Sequence, residues 1–130
     1  MAGYSGTPLA KKLGIKAGTG VALIEAPDGM EQQLAPLPEG VRLNFDASSE
    51  VRTALLFVQN RAALAAGFDG AAKCVAAKGH LWLAWPKKAS GVATDVTEDI
   101  VRGYGLSQMW VDFKVCAIDE VWSGLCFARR

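Results

Sequence analysis

The residues best suited to chemistry gather in the stretch WPKKASGVATDVTED, Trp85 to Asp99. It follows an apolar run, turns basic at Lys87 and Lys88, loosens at Ser90 and becomes acidic from Asp95 onward. Two ammonium groups close to a helix N-terminus are suited to holding an anion. The carboxylates that open the next helix compete for the same positive end, and an exposed lysine pair is often only solvated. We therefore interpret this stretch as the best ligand-binding candidate and assign it no catalytic role.

Further candidates follow other predicted strands at the same edge of the sheet. Ligands of open α/β sheets bind outside the carboxyl ends of the strands, where neighbouring connections diverge. An exposed tryptophan at a turn, such as Trp122 beside Ser123, suggests a contact surface. The candidate ligand-binding residues are Asp28, Asn60, Arg61, Trp85, Lys87, Lys88, Ser90 and Trp122.

Catalytic and metal-binding side chains are scarce in this sequence. The single histidine, His80, precedes a predicted strand at the opposite edge, so we expect an exposed, dispensable turn residue rather than a general base. Cys74, Cys116 and Cys126 are widely spaced in apolar segments and contain no metal-type pair. A symmetric hairpin would place Cys116 beside Cys126. We assign no catalytic residue and no metal ligand.

The glycines at positions 18 and 20 resemble half of a dinucleotide-binding motif, GTG. That motif must follow the first strand, so that its glycines and the helix N-terminus meet the phosphates. Here the glycines precede the strand, and only Asp28-Gly29 follows it. We therefore expect no nucleotide and no S-adenosylmethionine bound in the usual manner, and we assign no cofactor.

Bulk composition indicates a globular protein. The chain has 130 residues, of which 51% are hydrophobic and 21% charged, and a net charge of +1. This balance gives no reason to expect nucleic acid or an anionic membrane as a partner. No apolar run approaches the ~20 residues of a membrane span, and the N-terminus does not read as a secretory signal. Three cysteines without a disulfide pattern favour a cytoplasmic location.

Hydrophobic periodicity and turn residues divide the chain into alternating elements. The predicted strands are Val21–Ala26, Val41–Phe45, Thr53–Val58, Leu81–Trp85, Trp110–Ile118 and Leu125–Arg129. A first short helix is predicted to begin at Thr7-Pro8, and further helices are predicted over Met30–Leu37, Arg61–Ala77 and Asp95–Tyr104. The last of these begins with a capping box led by Asp95.

This order predicts one α/β domain over residues 1–130: a three-layer, Rossmann-like open sheet of about six strands, mostly parallel. The closing helix and hairpin resemble the end of a class I methyltransferase fold, whose last strand is antiparallel. By that analogy the sheet order is second, first, third, fourth, sixth, fifth.

Three segments carry a resemblance to a known family: GTPLAKKLGIKAG, WPKKASGVATDVTEDIV and VDFKVCAIDEVWSGLCF. They are similar to a bacterial family described as domain of unknown function 3052, over nearly the whole chain. The resemblance implies a small Rossmann-like domain and no established activity.

Three functional hypotheses follow. The first is a non-catalytic small-ligand-binding or regulatory module, a methyltransferase-like fold without its cofactor loop. The second is a small enzyme that holds an anionic substrate with Lys87 or Lys88. The third is a self-associating subunit, a homodimer formed through the hairpin and Trp122. The missing loop and general base favour the first, with an anionic small molecule as the expected partner.

Overall fold

A computed structural model describes residues 7–130, which form helices on both faces of one six-stranded sheet. The prediction that the N-terminus is not a secretory signal concerns a segment that includes residues 1–6, which lie outside the described range. The helices are α1 Leu9–Lys12, α2 Met30–Leu34, α3 Arg61–Cys74 and α4 Glu98–Ser107, with a 3-10 turn at Lys88–Ser90. The strands are β1 Gly20–Ile24, β2 Arg42–Asn44, β3 Val51–Phe57, β4 Val75–Pro86, β5 Trp110–Ala117 and β6 Trp122–Arg129.

The sheet has the order β2-β1-β3-β4-β6-β5. The first four strands pair in parallel, while β6 is antiparallel to both β4 and β5. The predicted three-layer Rossmann-like fold, its strand order and its C-terminal antiparallel hairpin are therefore confirmed.

Each face of the sheet has its own core. On one face α3 and α4 contribute Phe68 and Val101, packed against β3, β4 and β6. On the other face α1 and α2 contribute Ala10, Met30 and other apolar residues around Trp82, together with Leu13, which follows α1. The Trp82 indole N–H donates to the Leu13 carbonyl oxygen at 3.0 Å, so this fully buried ring keeps its one polar group satisfied.

The α3–β4 boundary differs from the prediction. The helix ends at Cys74 rather than Ala77, and β4 starts at Val75 rather than Leu81. The Arg129 guanidinium donates to three carbonyl oxygens at the end of this helix, including that of Val75 at 2.7 Å, and lies 4.7 Å from the Trp110 ring centroid. A cation that takes up the last carbonyls of a helix stabilises its end. Arg129 lies 54 positions after Val75 in the chain, so the local sequence around the helix end did not indicate this contact.

Two other helix ends also moved. The helix α2 stops at Leu34, because Ala35 precedes a proline and is extended at ψ 146°. The cap of α4 is Thr97, whose side chain accepts from the Ile100 N–H, rather than Asp95. Asp95 instead accepts the backbone N–H of Arg61, the first residue of α3. The predicted capping box is therefore wrong, although its leading carboxylate caps a different helix.

The hairpin is tighter than expected. The Asp119 carboxylate accepts the backbone N–H groups of Val121 and Trp122 at 2.8 and 2.7 Å, and β6 begins at Trp122 rather than Leu125. This turn and a register shift in β5 pair Cys116 with Gly124, not with Cys126. The predicted neighbouring cysteines are thus not cross-strand partners.

A close approach between α4 and the sheet gives a test of the packing. A Cβ built on Gly105 would lie 2.2 Å from the ring of Phe127, which is fully buried. We predict that Gly105→Ala lowers the free energy of unfolding by about 1–3 kcal/mol, because the helix and strand must separate. Urea denaturation measures this change.

Gly103 of the same helix is the matched control, since a Cβ there meets nothing within 4 Å. Gly103→Ala is expected to be neutral or to stabilise by up to ~1 kcal/mol through helix propensity. Equal effects of the two substitutions would contradict the close contact.

Candidate functional site

A cleft lies at the carboxyl ends of β1 and β3. After β1 the chain enters α2 on one face, and after β3 it enters α3 on the other, so the two connections diverge there. Such a switch point is where ligands of open α/β sheets bind. The cleft, called the switch cleft below, has a volume of about 580 Å³, within the range of small-molecule sites. It is lined by Ile24, Glu25, Pro27, Leu56, Phe57, Gln59, Ala63, Ala66, Gly67 and Trp122.

Glu25 supplies the charge of this cleft. It directly follows β1 and has φ 57°, a left-handed backbone that is uncommon for a residue other than glycine. This conformation ends the strand and turns the chain toward Pro27. The Glu25 side chain is exposed at the rim. A strained non-glycine residue beside a cleft is a reason to consider a functional role.

Aromatic side chains form the opposite wall. Phe57 ends β3 and Trp122 begins β6, with ring centroids 5.2 Å apart and planes at 84°. Edge-to-face contact of this kind fixes both rings. Trp122 is half-buried, so part of its indole is accessible from the cleft.

The floor comes from small residues of α3. A Cβ on Gly67 would lie 3.1 Å from a Leu56 methyl group, so glycine lets the helix lie close to the strand. The helix itself begins on Asn60, whose side chain accepts the Ala63 N–H at 2.7 Å.

The lining has one ionisable group among the described residues, Glu25, and no lysine, arginine or histidine. Its remaining polar side chain is Gln59. A carboxylate facing aromatic rings attracts a cation, because both a negative charge and a ring face interact favourably with positive charge. The arrangement therefore suits a ligand with apolar and positively charged parts.

Of the eight residues predicted from sequence, the structure places Trp122 in the switch cleft. Asp28 lies beside it, on a smaller pocket of about 160 Å³ that includes Phe45. Asn60 caps α3. Trp85 is only 5% exposed within the core, so a ligand could not reach it without repacking.

The other four lie elsewhere. Arg61 lines a groove between α3 and α4. Lys88 is exposed and Lys87 donates its backbone N–H to the Val121 carbonyl. The Ser90 hydroxyl donates to the Lys87 carbonyl oxygen and accepts the Val92 N–H, so it organises its own turn. The predicted residues are therefore not brought together at one site.

The ligand-binding residues predicted from the sequence did not include Glu25 or Gln59. Each directly or almost directly follows a buried strand, the position that ligand-binding residues occupy in this fold class. Glu25 was counted inside the predicted first strand, Val21–Ala26, and so was not considered a loop residue.

His80 is not the exposed turn residue that its sequence position suggested. It lies within β4, opposite Thr53, is half-buried, and its ring centroid is 5.1 Å from that of Phe113. Burial, and the nearby positive charge of Arg52, lower its pKa, so it is neutral at physiological pH. It lies far along β4 from the switch cleft.

The thiols are poor nucleophiles. Burial raises the pKa of Cys126 to about 12 and also raises the pKa values of Cys74 and Cys116. Within residues 7–130 no group of His, Cys, Asp or Glu is arranged to hold a metal ion. No helix in this range is long and apolar enough to cross a membrane.

Comparison with solved structures identifies proteins of the same fold. The N-methyltransferase NodS from Bradyrhizobium japonicum WM9, in complex with S-adenosyl-L-homocysteine (SAH), matches with a TM-score of 0.63 and 13% identity over 93% of this chain and 83% of that one. A DhpI–SAH complex has a TM-score of 0.61 and 8% identity over 94% and 82%. The B. subtilis tRNA methyltransferase TrmK has a TM-score of 0.52 and 12% identity over 95% and 65%. No protein-family model and no curated protein sequence matches this chain.

These neighbours correct the functional hypotheses. The prediction of a non-catalytic module, with its alternatives of an anion-binding enzyme and a structural subunit, is wrong, because the solved structures that share this fold include methyltransferases such as NodS and TrmK. The expected partners are wrong as well. The ligand in two of the neighbours is SAH rather than a simple anion, and TrmK acts on tRNA, so nucleic acid was excluded without sufficient reason.

Thiol reactivity tests the description of the cysteines. We predict that Cys74 and Cys126 of the folded protein do not react with a thiol-specific disulfide reagent at neutral pH, and that half-buried Cys116 reacts slowly. Absorbance of the released thiolate measures the reaction. All three should react at once in denaturant, and rapid modification of Cys126 in the folded protein would contradict its burial.

Proposed function

We propose that this chain is a methyltransferase that binds an S-adenosyl methyl donor in the switch cleft. The observation that carries the proposal is the position of this cleft, at the carboxyl ends of β1 and β3 where the connections diverge. Neighbours of the same fold that were solved with SAH support it.

The residues of the cleft fit such a donor in their chemistry. An S-adenosyl donor combines a nucleoside, whose base is flat, with a positively charged sulfonium and an amino-acid group that carries both an ammonium and a carboxylate. Ile24, Leu56 and Phe57 provide apolar surface, and Glu25 provides the charge that an ammonium group requires. Gln59 adds an amide that can donate or accept hydrogen bonds with a ribose or a base.

The bound donor would supply an activated methyl group, and the chain would position and shield it. The aromatic wall of Phe57 and Trp122 would favour the positive charge of the donor and would keep water from one side of the cleft. Glu25 at the rim would fix the orientation of the donor through its ammonium group.

The proposal replaces our expectation that the missing glycine-rich loop excludes S-adenosylmethionine. The β1–α2 loop remains poor in glycine, with Gly29 as its left-handed residue at φ 87°. Recognition would then depend on side chains and apolar walls rather than on backbone N–H groups. We also propose that the chain belongs to the domain of unknown function 3052 family. We propose a cytoplasmic location as well, with which the free thiols are consistent.

Binding of SAH tests the proposal. We predict that isothermal calorimetry detects SAH binding to the intact protein and that Glu25→Gln weakens it roughly tenfold, because the amide keeps the shape but loses the charge. Thermal unfolding of the variant should remain close to that of the parent.

The double change Lys87→Ala, Lys88→Ala is the matched control. Both lysines lie on the same edge of the sheet but outside the lining of the cleft, so SAH affinity should not change. Absence of SAH binding would refute the proposal. A loss in the lysine variant that Glu25→Gln does not share would place the ligand elsewhere.

A further inference from the structure

The two ends of the switch cleft differ in chemistry. Its β1 end carries Glu25 and Pro27, whereas its far end is closed by Trp122 of β6. These ends belong to strands that are not neighbours, because β3 and β4 lie between β1 and β6 in the sheet.

Trp122 is positioned as a recognition surface rather than as a core residue. It is half-buried, its ring is held against Phe57, and its backbone N–H is fixed by Asp119 at 2.7 Å. Strand pairing with Pro86 anchors it from the other side. An aromatic ring that is both held and accessible offers a preorganised contact at low entropic cost.

The lining of the cleft selects against an anionic or hydroxylic acceptor. A carboxylate or phosphate acceptor would find no cation among the described lining residues and would be repelled by Glu25. A hydroxyl oxygen needs a base to become a good nucleophile, and the one carboxylate of the described lining, Glu25, pairs with the donor ammonium in the proposed function. An amine needs no base from the protein, since its neutral form attacks with its own lone pair, and its cationic form is attracted by the indole face before it loses its proton.

We propose, on the basis of the methyltransferase function above, that the methyl acceptor is an amine attached to an apolar group and that Trp122 is the residue that selects it. The amine first loses a proton to the open solvent. Its nitrogen lone pair then forms the new bond to the methyl carbon, while the electron pair of the broken carbon–sulfur bond stays on sulfur. A methylammonium ion and a neutral thioether result.

A matched series of probes tests this selection. Choline carries a quaternary ammonium, neohexanol is its neutral analogue with carbon in place of nitrogen, and pivalate is an anion of similar size. Ligand-observed NMR titrations with the SAH-loaded protein give the three affinities. We expect choline to bind roughly two- to thirtyfold more tightly than neohexanol, and pivalate to bind most weakly.

Substitution of Trp122 assigns the preference to this ring. Trp122→Leu should bring choline and neohexanol to equal affinity, and Trp122→Phe, which keeps a ring against Phe57, should keep part of the preference. Near-ultraviolet circular dichroism tests whether both variants are folded. If Trp122→Leu is unfolded, an intermediate preference for choline in Trp122→Phe still tests the role of the ring.

The outcomes separate this inference from the proposed function. If SAH binds but choline shows no advantage, the amine inference is overturned and the methyltransferase proposal stands. The same holds if the full advantage survives in Trp122→Leu or, where that variant is unfolded, in Trp122→Phe. If SAH does not bind, the methyltransferase proposal fails, and with it the assignment of an acceptor.

Discussion

The parallel pairing of β1 with β3 is the constraint on which the site depends. Ala22 lies beside Ala54 and Leu23 beside Leu55, so both strands end at the same edge. Because α2 packs on one face and α3 on the other, their connections separate and leave a crevice. Any slip of one residue would move every core side chain of β1 to the opposite face, which both buried cores forbid. The position of the switch cleft is therefore a consequence of the core itself.

The stretch Trp85 to Asp99 supports this cleft rather than forming it. The Thr94 hydroxyl donates to the Gln59 carbonyl oxygen, and the Gln59 amide donates to the Ala93 carbonyl oxygen at 3.4 Å. Asp95 accepts the first N–H of α3. The loop after β4 thereby fixes the turn after β3 through these hydrogen bonds, and this turn includes the lining residue Gln59. The acidic end of the stretch, at Asp95, therefore has a structural role. Lys87 and Lys88 do not line the switch cleft.

The sequence was sufficient for the fold and much less so for the site, for a physical reason. The elements and the fold class follow from periodicity and alternation, which are local signals, and the strand order came from the resemblance to a class I methyltransferase fold. Boundaries depended on partners distant in sequence, such as Arg129 at the end of α3 and Asp95 at its start. Among the site residues Trp122 was recognised from its place at a turn. Glu25 was not, because nothing in its residue type indicates the left-handed backbone that turns it out of β1.

The short connection after β1 determines how this chain can hold a ligand. In α/β folds that bind phosphates, a glycine-rich turn and the dipole of a long helix provide much of the attraction. Here α2 has five residues, Gly29 gives it no side-chain cap, and Pro27 offers no N–H. Attraction for an anionic group at this point is correspondingly small. In the proposed function, recognition depends instead on the Glu25 carboxylate and the aromatic wall, and both of these favour positive charge. The loss of the glycine-rich loop and the preference for a cation are thus two consequences of the same local structure.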